Sequence, residues 1–230
     1  MVIQPTTVRP YPIRFEDEGG ILPIHETGAM FTADNFTKFN LGINVLLSNG
    51  LAGTPVFDND IRKAATVNIH AEPCENLHII VSDYMDMFPG GNVNPQLNTV
   101  IDSTNINIMN ASVAYMNNGK KFEALAEYYQ VQLGDAGKNN LDSLGSRSTT
   151  AYVVYAGYKI KEQWVPYVSY ESTTFPKNET YFTKEDQSSI IVGLRYHITP
   201  LSVIKFEVKH IEFETLAAMN HITLQFAIGF

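Results

Sequence analysis

Lys205, Glu207 and Lys209 alternate with Ile204, Phe206 and Val208. At a period of two, the charges take one face of a strand and the apolar chains the other. In the run before, Arg195 and His197 share a face with Ile191 and Gly193, against Ile190, Val192, Leu194 and Tyr196. Glu123 and Glu127 oppose Phe122, Ala124, Ala126 and Tyr128, while Lys38 and Lys159 occupy the polar face of their own runs. The chemistry this set offers is electrostatic: a charged wall facing water sorts ions and polar solutes by sign and size.

Other reactive residue types form weaker patterns. His70, Cys74 and His78 have zinc-ligand chemistry at close spacing, beside Glu72 and Glu75. A structural zinc site offers a firmer four-ligand pattern, so these read as turn and wall residues and no metal or cofactor is expected. Glu16, Asp17 and Glu18 form an acidic run that is solvated, binds a cation or folds into a pore as a constriction. Pro89-Gly90-Gly91-Asn92 lacks the Lys-Ser/Thr of a phosphate loop and reads as a turn. There is no Gly-x-Ser-x-Gly elbow. Enzyme activity is therefore not expected.

The elements that position the charges are short alternating runs. Eleven are readable, at about 24–32, 38–47, 64–71, 77–84, 105–116, 121–133, 149–160, 164–171, 188–197, 202–212 and 221–230. Their connections alternate in length. Those at 33–37, 72–76, 117–120, 161–163 and 198–201 are short; those at 48–63, 85–104, 134–148 and 172–187 are long, with 213–220 a lesser member. Short turns on one side and long loops on the other characterise up-and-down barrels of the bacterial outer membrane. Lys or Arg at a bilayer midplane costs roughly 2–4 kcal/mol, which assigns the charged set to the lumen. In 38–47, Phe39, Leu41, Ile43 and Val45 then face lipid, and Tyr152, Val154, Ala156 and Tyr158 continue that face. Tyr158, Trp164, Tyr196 and Phe230 fall at strand ends, where an interfacial aromatic girdle belongs.

Composition fits without deciding. The 230 residues carry a formal charge of -8, which argues against nucleic acid. Mean hydropathy is -0.10, suiting a wall of which only alternate residues meet lipid. Cys74 is the single cysteine, so no internal disulfide forms. Met1 to Pro5 is no secretory signal.

The last run alternates from His221 and ends on Phe230, resembling the closing strand of Gram-negative outer-membrane barrels. The resemblance implies that Phe230 is read as an assembly signal. The segments Gly157-Tyr158-Lys159-Ile160, Trp164-Val165-Pro166-Tyr167-Val168-Ser169-Tyr170-Glu171 and Val192-Gly193-Leu194-Arg195-Tyr196-His197-Ile198-Thr199-Pro200 resemble the late strands of bacterial porins, over roughly residues 110–230. The family most similar is the porin O/P-like group. Its phosphate selectivity is not carried over, because Glu123, Glu127 and Glu207 offset the lysines.

The expectation is one all-β domain over 1–230, an antiparallel up-and-down transmembrane β-barrel of the bacterial outer membrane. Counting back from Phe230 puts 1–23 outside, as an extracellular or pore-folded loop. Eleven strands that start outside predict an N-terminally incomplete barrel, the rest of a wall of about 16–18 strands. The expected function is passive diffusion of ions or small hydrophilic solutes. Lys38, Glu123, Glu127, Lys159, Arg195, Lys205, Glu207 and Lys209 would line the lumen; Arg195, Lys205, Glu207 and Lys209 would face water and pair in part with one another. Lipid, the outer-membrane assembly machinery and solutes are the expected partners, with homo-oligomerisation left open. The alternative is a barrel that binds, adheres or scaffolds through its long loops; a barrel-embedded hydrolase is a third.

Overall fold

A computed structural model describes residues 9–14, 20–23, 26–50, 63–88, 93–94, 99–100, 103–135, 147–177, 179, 181–182, 184–199 and 201–228. The strands are β1 (Gly28–Ala33), β2 (Gly42–Ser48), β3 (Ala64–Cys74), β4 (Leu77–Phe88), β5 (Val93–Asn94), β6 (Thr99–Val100), β7 (Thr104–Met116), β8 (Phe122–Asp135), β9 (Arg147–Tyr158), β10 (Trp164–Thr174), β11 (Gln187–Thr199), β12 (Ser202–Phe213) and β13 (Met219–Ile228). β5 and β6 form a small hairpin between β4 and β7. The other eleven make one antiparallel sheet in sequence order, each pairing only with its neighbours, and β1 and β13 are its open edges.

The eleven runs of the sequence are the eleven strands of this sheet. Short and long connections alternate as expected from β2 to β12, but not at the two ends, where the connection at 34–41 is longer than that at 214–218. Among the described non-glycine residues, positive φ occurs at Asn35, Asn40, Asn76, Lys120, Lys161 and Glu162, all in short connections, where tight reversal needs the left-handed region. The pairing of β3 with β4 shifts between Ala71 and Cys74, around Pro73, which has no N–H to give a ladder. Two boundaries are corrected, the first being that β1 starts at Gly28 rather than near residue 24. β2 starts at Gly42, not near residue 38, because Asn40 is left-handed (φ 47°) and the Phe36 N–H closes the turn onto the Leu41 carbonyl. Lys38, Phe39 and Leu41 therefore lie in the turn between β1 and β2 rather than on faces of a strand.

The exposed face of the sheet is apolar, unlike the outside of a water-soluble sandwich, and the buried face mixes apolar with charged residues. Along β9 the pattern is buried Arg147, Thr149, Ala151, Val153, Tyr155 and Gly157 against exposed Tyr152, Val154 and Tyr158. Exposed positions elsewhere include Val168, Ile190, Val192, Phe206 and Val208, with Ile222 and Leu224 each 73% exposed. The buried face holds Glu171, Arg195, Lys205 and Glu207, with Lys205 only 2% exposed. The sheet curls with this charged face inside. Flat, the three strand steps from β8 to β11 would part the backbones by roughly 14 Å, yet Arg195 on β11 reaches Glu123 on β8.

The hollow is filled differently at its two ends. Toward the long loops, Ala64, Tyr84, Ile106, Ile108, Val131 and Leu133 of the wall pack on Tyr11, Ile13 and Ile21 and on Phe182 from the connection after β10. Residues 9–14 and 20–23 close on themselves through the Ile21 and Leu22 N–H groups, bonded to the Pro12 and Arg14 carbonyls. Tyr11 meets the Phe175 and Phe182 rings edge-on at 6.2 and 5.8 Å. Toward the short turns the inner face is charged.

Candidate functional site on the inner wall

Register fixes which inner residues are neighbours, because directly paired residues share a face. One row across the sheet reads Met116, Glu123, Gly157, Tyr167, Gly193, Glu207 and Thr223. The row nearer the short turns reads Val165, Arg195, Lys205 and Gln225. The row on the other side reads His78, Ala114, Leu125, Tyr155, Ser169, Ile191, Lys209 and His221.

Gly157 and Gly193 make room within these rows. A Cβ on Gly193 would overlap the Tyr167 ring, and one on Gly157 would press on the Tyr155 hydroxyl and on Glu123. Each tyrosine lies over a glycine, covering backbone that no side chain shields. The two rings pack 5.4 Å apart.

On this floor Glu123 Oε1 accepts from Arg195 Nη2 at 2.6 Å and from the Tyr155 hydroxyl. Arg195 Nε donates to His197 Nε2 at 3.2 Å, so that nitrogen acts as the acceptor. The Tyr167 hydroxyl donates to Glu207 Oε1 at 2.7 Å. Lys205 lies in the field of Glu207, Arg195 and Glu123. Farther toward the long loops, Lys209 Nζ contacts Glu171 Oε2 at 2.5 Å and Ser189 Oγ donates to the same oxygen. Glu127 hydrogen-bonds Tyr129 and feels the charge of Arg9 from the inserted segment.

Most of the sequence-derived lumen set is thus brought together, with corrections. Glu123, Glu127, Arg195, Lys205, Glu207 and Lys209 all point to the inner face. Arg195 and Lys209 do not pair with members of their own strand pair: they reach to β8 and β10, because curling brings distant strands within side-chain reach. Arg195, Lys205 and Glu207 are buried rather than open to water. Lys159 sits at the rim, half-buried, 3.0 Å from Glu162. Lys38 is exposed in its turn, its ammonium 5.1 Å from the Phe39 ring centre, and does not line the inner wall.

Of the aromatic set, Tyr158, Trp164 and Tyr196 are on the outer face at the short-turn end, and the Trp164 and Tyr196 rings stack at 4.4 Å. Phe230 lies outside the described residues, as do Glu16 to Glu18 and Pro89 to Asn92. Tyr115 and Phe122 extend this row, 6.4 Å apart, and a second row of Tyr128, Tyr152 and Tyr170 stands nearer the long loops. Parity within each run could have found both. His70 and His78 turn to different carboxylates, Asp34 at 3.2 Å and Glu72 at 2.9 Å, and no three metal-ligand side chains converge among the described residues.

No protein-family model and no curated protein matches this chain.

Proposed function

We propose that the chain forms the wall of an outer-membrane channel of the porin type, passing ions or small hydrophilic solutes. The observation that carries this reading is the exposed face of the sheet: apolar side chains meet the surroundings there, while charges are enclosed among apolar chains on the other face. Water expels the first arrangement and lipid favours it. On β9, the outer positions from Tyr158 to Ser148 run from an aromatic row to a hydroxyl row. At ~3.3 Å per residue and a tilt of ~40°, this band is ~25 Å tall, the height of an outer-membrane barrel's apolar belt. The inner charges would set ion preference, and residues 9–14 and 20–23 would narrow the bore from the long-loop side.

A second reading has its own observation. The cluster of Tyr11, Ile21, Phe182 and the apolar wall residues is packed rather than wet. A barrel closed by it would work through its long connections, as a binding or scaffold protein. Conductance separates the two. Purified protein from outer membranes, added to a planar bilayer, gives discrete steps in a salt gradient if it is a channel. Heat-modifiable, membrane-inserted protein without steps would select the second reading. Protein that stays in aqueous solution would overturn both.

A further inference from the structure

A cavity of about 370 Å³ opens on the inner wall at the short-turn end, beside the charged floor. Its polar rim carries His78, Lys120, Glu123 and Arg195, and its apolar lining is Ala114, Met116, Leu125 and Tyr155. His78, Ala114, Leu125 and Tyr155 are one register row across β4, β7, β8 and β9, so the floor is a continuous strip of wall. Apolar lining with a few placed polar groups, at this volume, is the usual form of a small-molecule site.

The rim decides the sign of the ligand. Arg195 and Glu123 cancel one another at 2.6 Å. His78 Nδ1 is held by Glu72, 2.9 Å away. Lys120 has no carboxylate within ion-pair distance among the described residues, so its ammonium is open to a ligand beside an apolar floor. The turn presents it firmly. The Asn117 side-chain oxygen accepts from the Lys121 and Phe122 N–H groups at 2.8 and 2.9 Å, and the Lys120 N–H bonds the Asn117 carbonyl at 2.7 Å.

We infer that this cavity binds a small carboxylate with a flat apolar body. Its carboxylate meets Lys120 and its body rests on Ala114, Met116, Leu125 and Tyr155. Binding needs the folded wall but not conduction, so its failure and that of the channel reading are separable.

The test is fluorine NMR with 4-fluorobenzoate, added to the protein in lipid nanodiscs, with empty nanodiscs subtracted. 4-Fluorobenzylamine and 4-fluorobenzyl alcohol serve as cationic and neutral comparators. Saturable binding is expected for the carboxylate, at least fivefold tighter than for either comparator. Lys120 has φ 49°, so Lys120→Gly removes the ammonium while suiting the backbone. It should weaken 4-fluorobenzoate at least fivefold, and Lys120→Arg should restore binding. Leu125→Trp, filling the floor, should abolish it in protein that keeps its heat-modifiable migration. Non-saturable uptake equal to empty nanodiscs, equal binding of the amine, or unchanged affinity in Lys120→Gly would each overturn the proposal. Should Leu125→Trp fail to fold, the Lys120 pair decides alone.

Discussion

Arg195 and Glu123 stand 72 residues apart in sequence, on β11 and β8, and their side chains meet at 2.6 Å over two intervening strands. The pair is a chord across the curled sheet. It is largely shielded from water, and Tyr155 holds the same carboxylate oxygen. Removing one partner strands the other. Arg195→Ala is expected to cost about 3–5 kcal/mol, and Arg195→Met with Glu123→Met far less than the sum of the singles. Urea unfolding of vesicle-inserted protein, read as a double-mutant cycle, measures this; additive singles would remove the chord.

The exposed face gives a test that a water-soluble sheet and a membrane wall answer oppositely. Phe206 is exposed at mid-strand on β12. In water, Phe206→Arg would be neutral or improve solubility. Facing lipid, it should cost roughly 2–4 kcal/mol and reduce membrane insertion. Folded yield in outer-membrane fractions decides.

Gly193 underlies the Tyr167 ring, and even one methyl there collides with it. Gly193→Ala should destabilise by about 1–3 kcal/mol. Gly193→Ala combined with Tyr167→Ala should lose less than the two singles together, since each relieves the other. The same unfolding measurement applies, and strict additivity would refute the stacking.

Glu185, in the connection between β10 and β11, accepts from the Thr215 and Leu216 N–H groups at 3.1 and 2.8 Å and from the Thr215 hydroxyl. These bonds, the hydroxyl first, favour the carboxylate and hold its pKa below the ordinary range. A depressed acid contributes stability that is present above its unfolded pKa and lost as pH falls through the folded one. Protection of the Thr215 and Leu216 amides against hydrogen exchange, corrected for intrinsic rates, should persist at neutral pH and fade in acid. Glu185→Gln should flatten that dependence. Protection unchanged down to strongly acid pH would show that the loops are tied elsewhere.

Orientation is tested by labelling intact cells in a Cys74→Ser background. Lys177→Cys lies in a long connection and Lys161→Cys in a short turn. A membrane-impermeant maleimide should reach the first and not the second; the reverse pattern would invert the wall.

The strands and their facing were legible because alternation is local: each run declares two faces without knowing its neighbours. What failed was local too. Asn40 in the left-handed region ends the turn late, and nothing in Lys38 to Leu41 signals that against an alternating pattern. The interior was the part hidden from sequence. Tyr11, Ile13 and Ile21 carry no strand period, and their place against Ile108 and Val131 depends on the sheet curling around them. Tyr155 and Tyr167 had inner parity from the start, but the role of Tyr167 comes from Gly157 and Gly193 on the strands either side of it, a relation only register reveals.

Strand order along the sheet equals strand order along the chain, and that has a consequence for how such a wall changes over generations. No strand is inserted between two others, so each hairpin is a removable unit whose neighbours are also its sequence neighbours. Duplicating or losing one hairpin alters the width of the sheet without touching the register of any other pair, while a single-residue slip reverses every facing in the strand that suffers it. Size in this architecture is therefore easy to vary and sidedness hard, so descendants would differ first in the width of the sheet and last in which face encloses the charges.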